Sequence, residues 1–79
     1  MFVRQMRTEF INLKQGNWTV YEYESEFNKL SRFATELIPI EKDRTIAFIE
    51  GLDTDYKEML IAMNITEFQE AVNRAKGME

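Results

Sequence analysis

The sequence predicts an all-α fold, a compact bundle of five helices. Apolar residues recur at three- and four-residue steps in five blocks, and Gly, Pro, Asn or Asp separates the blocks. Nowhere does a sustained period of two suggest a strand. With 79 residues, 44% hydrophobic and 30% charged, the chain has enough apolar content for one small globular domain and too much for a disordered segment.

The first block places Phe2, Val3, Met6, Phe10 and Leu13 on one stripe. It predicts an amphipathic helix of about 13 residues, with Lys14 at its C-terminal dipole. Gln15-Gly16 then reads as either an ordinary helix C-cap or a structured turn. The second helix has a strong local start. Thr19 is its N-cap, Glu22 completes a capping box three residues on, and Trp18 and Tyr23 hold the N′ and N4 positions of a hydrophobic staple. Val20, Tyr23, Phe27, Leu30, Phe33, Ala34 and Leu37 form its stripe. Pro39 restricts Ile38, so the helix is expected to stop near Glu36, after about 16 residues.

A third helix is expected over Glu41 to Glu50, with Thr45, Phe48, Ile49 and then Leu52 inward and Gly51 ending it. Asp53 is the expected cap of a fourth, which carries Tyr56, Met59, Leu60 and Met63 inward and ends near Asn64. Thr66 and Gln69 suggest a second capping box that opens a fifth helix, with Phe68, Ala71, Val72 and Ala75 on its core face. Glu70 and Arg74 are spaced to pair at i,i+4, and Gly77 closes the helix.

Chemistry is excluded more readily than it is assigned. Without His or Cys there are no disulfides, zinc fingers, thiol nucleophiles or Ser-His pairs. The aromatics at helical spacing read as core. Glu22, Glu24 and Glu26 suit the dipole of a first turn, and i,i+2 neighbours do not converge on a metal. Glu41, Asp43, Asp53 and Asp55 also sit at helix starts and lack the calcium-loop pattern. No enzyme, cofactor, metal or small-molecule substrate is expected. A net charge of -4 and a pI near 4.8 argue against direct nucleic-acid binding by this segment. No apolar run approaches the roughly 18 residues of a membrane span, and "MFVRQMRTEF" carries charge too early for a secretory leader, so an intracellular, cytoplasmic location is expected. A chain this short buries only about 60% of its unfolded surface, which gives self-association a thermodynamic motive.

The stretches "LKQGNWTVYEYESEFNKLSRFATELI", "IAFIEGL" and "TEFQEAVNRAKGME" resemble the gag polyprotein of Ty3/gypsy long-terminal-repeat retrotransposons, above all plant ones. The layout is similar to the C-terminal lobe of retroviral capsids, to the Arc capsid lobe and to SCAN domains. The resemblance implies a single lobe over residues 1–79, with 1–14 a linker and first helix and 15–79 a four-helix core. Gln15, Gly16, Phe27 and Leu30 resemble the Gln, Gly and apolar positions of the capsid major homology region. Where that motif has its Glu and its helix Arg, this chain has Thr19 and Glu26, and the Gly16-to-Phe27 spacing is one residue shorter, so the motif's polar network is not assumed here and the capping box and staple are expected to fix the turn.

What the resemblance implies for function is homodimerisation and shell assembly, with the chain itself as the partner. The two-fold contact is expected on the third helix at Asp43, Ile46, Ala47 and Glu50. Ala47 lies nearly opposite the inward face and Ile46 on its flank. Phe2, Met6 and Phe10 of the first helix are expected as a second covering surface. Two alternatives stand beside this: a domesticated, SCAN-like module that pairs host proteins, and an adaptor lobe that binds a short peptide.

Overall fold

The computed structural model describes residues 2–79, and the side chains of Phe2, Val3, Met6 and Arg7 lie outside the described set. The elements are α1 (Phe2–Ile11), α2 (Val20–Ser31), a 3-10 turn (Thr35–Leu37), α3 (Glu41–Glu50), α4 (Thr54–Ala62) and α5 (Phe68–Gly77). Among the described residues there is no strand, as expected of an all-α chain. Helix α2 packs between α1 and α5, and α5 also lies against α3 and α4. The small face Ala71, Val72 and Ala75, fully buried, lets these helices approach closely.

Phe27 of α2 is the centre of the core. Its ring lies 5.1 Å from Phe10, edge-on to Phe48 at 5.4 Å and stacked on Phe68 at 5.5 Å. Such offset and edge-to-face pairs add to the large apolar area each ring buries. Half-buried Arg44 of α3 closes the cluster from outside, its guanidinium 4.4 Å from the Phe68 centroid and hydrogen-bonded to Asn28 and to Ser31 Oγ. Tyr23 buries its ring against Phe48 and donates its hydroxyl to the Phe48 carbonyl at 2.9 Å. Burial pushes that phenol well above its usual range.

Helix boundaries depart from the sequence expectation at several points. Helix α1 ends at Ile11, short of the expected 13 residues. Helix α2 stops at Ser31 rather than near Glu36. The Ser31 hydroxyl bonds the Asn28 carbonyl, and the Phe33 and Ala34 amides bond three residues back, tightening the chain so that Ala34 turns into the core. Helix α3 occupies Glu41–Glu50, with Thr45, Phe48 and Ile49 buried.

In α4, Leu60 is buried but Met59 and Met63 are exposed, and Asp53 at the N-cap makes no side-chain capping bond. Asn64, at φ +55°, supplies the left-handed residue that ends α4. The second capping box does not form. Helix α5 starts one residue later, with Glu67 at the N-cap, and a carboxylate from α3 does the capping: Glu41 Oε2 accepts the Phe68 N–H at 3.2 Å. The Thr66 carbonyl instead accepts from the buried Thr45 hydroxyl. Gly77 is the last residue of α5 and Met78 its C-cap, while Glu70 and Arg74 pair at 3.5 Å.

Candidate functional site

The joint between α1 and α2 positions the wall of the site. Gln15 is buried, and its backbone N–H donates to the Gly51 carbonyl at 2.8 Å. Its side chain accepts the Asp53 N–H at 3.0 Å and donates to the Trp18 carbonyl at 3.0 Å. One amide thus ties the joint to the α3–α4 loop and closes the turn that follows. Gly16, at φ +55°, lies five residues beyond α1, so it serves a tight turn closed by the Trp18 N–H on the Gln15 carbonyl, not a helix cap.

The start of α2 is held by a reciprocal pair: Thr19 Oγ1 accepts the Glu22 N–H at 3.2 Å, and Glu22 Oε1 accepts the Thr19 N–H at 3.0 Å. Glu79 Oε2 takes the next free donor, the Val20 N–H, at 2.8 Å. Thr19→Ala removes half of this capping box and is expected to cost about 0.5–2 kcal/mol in chemical denaturation. An unchanged midpoint would mean that Glu79 alone satisfies the helix start. Tyr23 is turned into the core, whereas Trp18 lines surface grooves that do not include Tyr23.

With the joint fixed, the end of α1 stands opposite α3 and the two enclose an open groove of about 370 Å³. Asp43, Ile46, Ala47 and Glu50 follow i, i+3, i+4, i+7 spacing and form its α3 wall. Phe10, Ile11, Leu13 and Lys14 face them, and Leu37 and Ile38 close one side. The apolar rim is open: Ile11 is 64% and Ile46 48% exposed. Glu50 pairs with Lys57 at 3.6 Å, leaving Lys14 and Asp43 as the other charged groups of the lining. Ile46 also lines a smaller groove of about 170 Å³ with Ile49, Leu60, Ile61 and Ile65. It therefore forms a ridge between two hollows.

The four α3 positions expected at a contact surface thus share one groove, with two corrections. Ala47 is half-buried against the core rather than opposite it, because the groove cuts down to that depth. Phe10, 7% exposed with its ring on Phe27, is core and groove floor, not a covering surface. Phe2 and Met6 lie outside the described residues. Sequence reasoning missed Ile11 and Leu37. Ile11 sits off the α1 stripe, a signal that could have marked it as surface, whereas Leu37 was counted on the α2 stripe and lost its place there when α2 ended early.

Among the described residues no group of three or more His, Cys, Asp or Glu side chains could hold a metal, and no helix is long and apolar enough to cross a membrane. No family model, no curated protein and no solved structure matches this chain.

Proposed function

We propose that this chain is a homotypic association domain of the capsid type, and specifically the C-terminal lobe of a retrotransposon gag capsid that dimerises and contributes to shell assembly. The observation that carries this reading is the convergence of Asp43, Ile46, Ala47 and Glu50 on one apolar-rimmed groove. Association would be isologous, so every contact occurs twice. The Ile46 ridge of one copy enters the groove of the other, and Lys14 of each copy meets Asp43 across the axis. The reading assigns no chemistry to the chain. A domesticated module that pairs host proteins would use the same contact.

The concavity of the groove favours a second reading, an adaptor that takes a short peptide, since its volume falls within the range of about 300–1,000 Å³ usual for ligand sites.

Light scattering over a concentration series separates the two. For the association domain, the mass is expected to rise from the 9.4 kDa monomer toward twice that value. Ile46→Glu is the informative substitution, because the residue is half-exposed and its charge is repeated across the axis. It should weaken association by about tenfold or more, and Glu70→Lys should not. Ala47→Glu is the poorer probe, since Ala47 also packs against the core. A folded monomer at every concentration removes the homotypic reading and leaves the adaptor.

A further inference from the structure

Trp18, two residues before α2, is 40% exposed and lines two shallow grooves. One, of about 430 Å³, is lined with Tyr21, Ser25 and Lys29, and the other, of about 520 Å³, with Asn12, Lys14 and Leu30. Glu26 lines both grooves. Its carboxylate is unevenly satisfied: Oε2 lies 3.5 Å from Lys29 Nζ, while Oε1 is buried and accepts no hydrogen bond among the described residues. A partly desolvated carboxylate with one oxygen unpaired is a costly arrangement, and stronger charge-assisted donors than Lys29 at its Oε2 offset part of that cost. Lys29 is a weak holder of the position, because an i,i+3 pair with a lysine side chain 68% exposed contributes little.

We propose that the Trp18–Glu26 groove binds an arginine side chain presented by a basic peptide segment. A guanidinium meets both demands of the site at once. Its plane stacks on the 40% exposed Trp18 indole, and its N–H donors take Glu26 Oε2 in place of Lys29. A lysine ammonium offers the charge but neither the plane nor the fork. The same chemistry already operates inside this protein, where the Arg44 guanidinium lies on Phe68 and bonds Asn28 and Ser31. The net charge of -4 favours approach of a basic segment. Ile46 and Ala47 line neither of its grooves, and the groove of Tyr21, Ser25 and Lys29 shares no residue with the association groove, whereas the other shares Leu13 and Lys14 with it.

Trp18 is the only tryptophan in the chain, so its fluorescence reports on the site directly. The full chain is titrated with an acetylated, amidated tri-arginine peptide and, in parallel, with its tri-lysine counterpart. Tri-arginine is expected to give a saturable change at a dissociation constant about tenfold or more below that of tri-lysine. Glu26→Gln, which keeps the shape and removes the charge, should weaken tri-arginine binding by about tenfold. Lys29→Ala should tighten it, because the competing cation is gone, an effect that a merely structural role for Lys29 would not produce. A linear response, equal binding of tri-lysine, or undiminished binding to folded Glu26→Gln overturns the proposal. Should Glu26→Gln fail to fold by circular dichroism, unchanged affinity in Lys29→Ala overturns it alone.

Discussion

Phe27→Ala is expected to cost about 3–5 kcal/mol, the range for deleting a buried phenylalanine from a packed core. Phe27 is buried at the junction of four rings, those of Phe10, Tyr23, Phe48 and Phe68, and beneath the Arg44 guanidinium. Truncating it opens a cavity that no single neighbour fills, and it removes the ring on which Phe10 of α1 packs. Domains have stabilities of roughly 0.05–0.15 kcal/mol per residue, so the loss is a large part of the total for a chain of this size. Urea denaturation followed by circular dichroism should show the midpoint falling sharply, with a measurable unfolded fraction before denaturant is added. A loss below about 1 kcal/mol would mean that the surrounding rings collapse into the space, and that the cluster is softer than its geometry indicates.

Gly51→Ala is expected to be nearly as damaging, for a different reason. Gly51 has φ -89° and ψ -9°, a conformation open to any residue, so no backbone strain opposes a side chain there. Space does. A Cβ at this position would stand 2.0 Å from Tyr23 Oη and 2.8 Å from the Leu13 carbonyl oxygen. To accept it, the Tyr23 hydroxyl must leave the Phe48 carbonyl, or the joint must lift away from the α3–α4 loop. Overpacking costs about 1–3 kcal/mol and a buried hydrogen bond left unmade about 1–3 kcal/mol more. Tyr23→Phe removes the nearest obstructing atom, so it should recover part of the loss when combined with Gly51→Ala. The Leu13 carbonyl remains, and recovery should be incomplete. The check is a double-mutant cycle by denaturation. If the two effects add within about 0.5 kcal/mol, Tyr23 is not what excludes a side chain at position 51.

The amino-acid sequence determined the features that physical chemistry settles within a turn or two of helix. Five helical stripes follow from apolar spacing alone. The reciprocal bonds of Thr19 and Glu22 need only residues three apart, and α3 runs over Glu41–Glu50 because its core face and its Gly51 stop are both local. Two of the groove residues, Ile46 and Ala47, were legible for a similar reason: on α3, apolar character away from the core face marks surface that a short helix does not otherwise need, and Asp43 and Glu50 were expected beside them from the resemblance.

Only tertiary structure decided the rest, because the deciding partner lies far along the chain. Thr66 and Gln69 have the spacing of a capping box, yet Glu41 of another helix caps α5 and the Thr66 carbonyl is taken by Thr45. Helix α2 reads as continuous to Glu36, yet it ends at Ser31, where Ala34 turns into the core and Arg44 bonds Ser31 and Asn28 from the neighbouring helix. Gly51 reads as a helix stop, and its more demanding role, admitting Tyr23 and the Leu13 carbonyl, exists only once α2 and the joint are packed against it. Phe10, expected as part of a covering surface, is buried by the same logic, since helical spacing assigns a residue to a face but the neighbouring helices decide which face is covered.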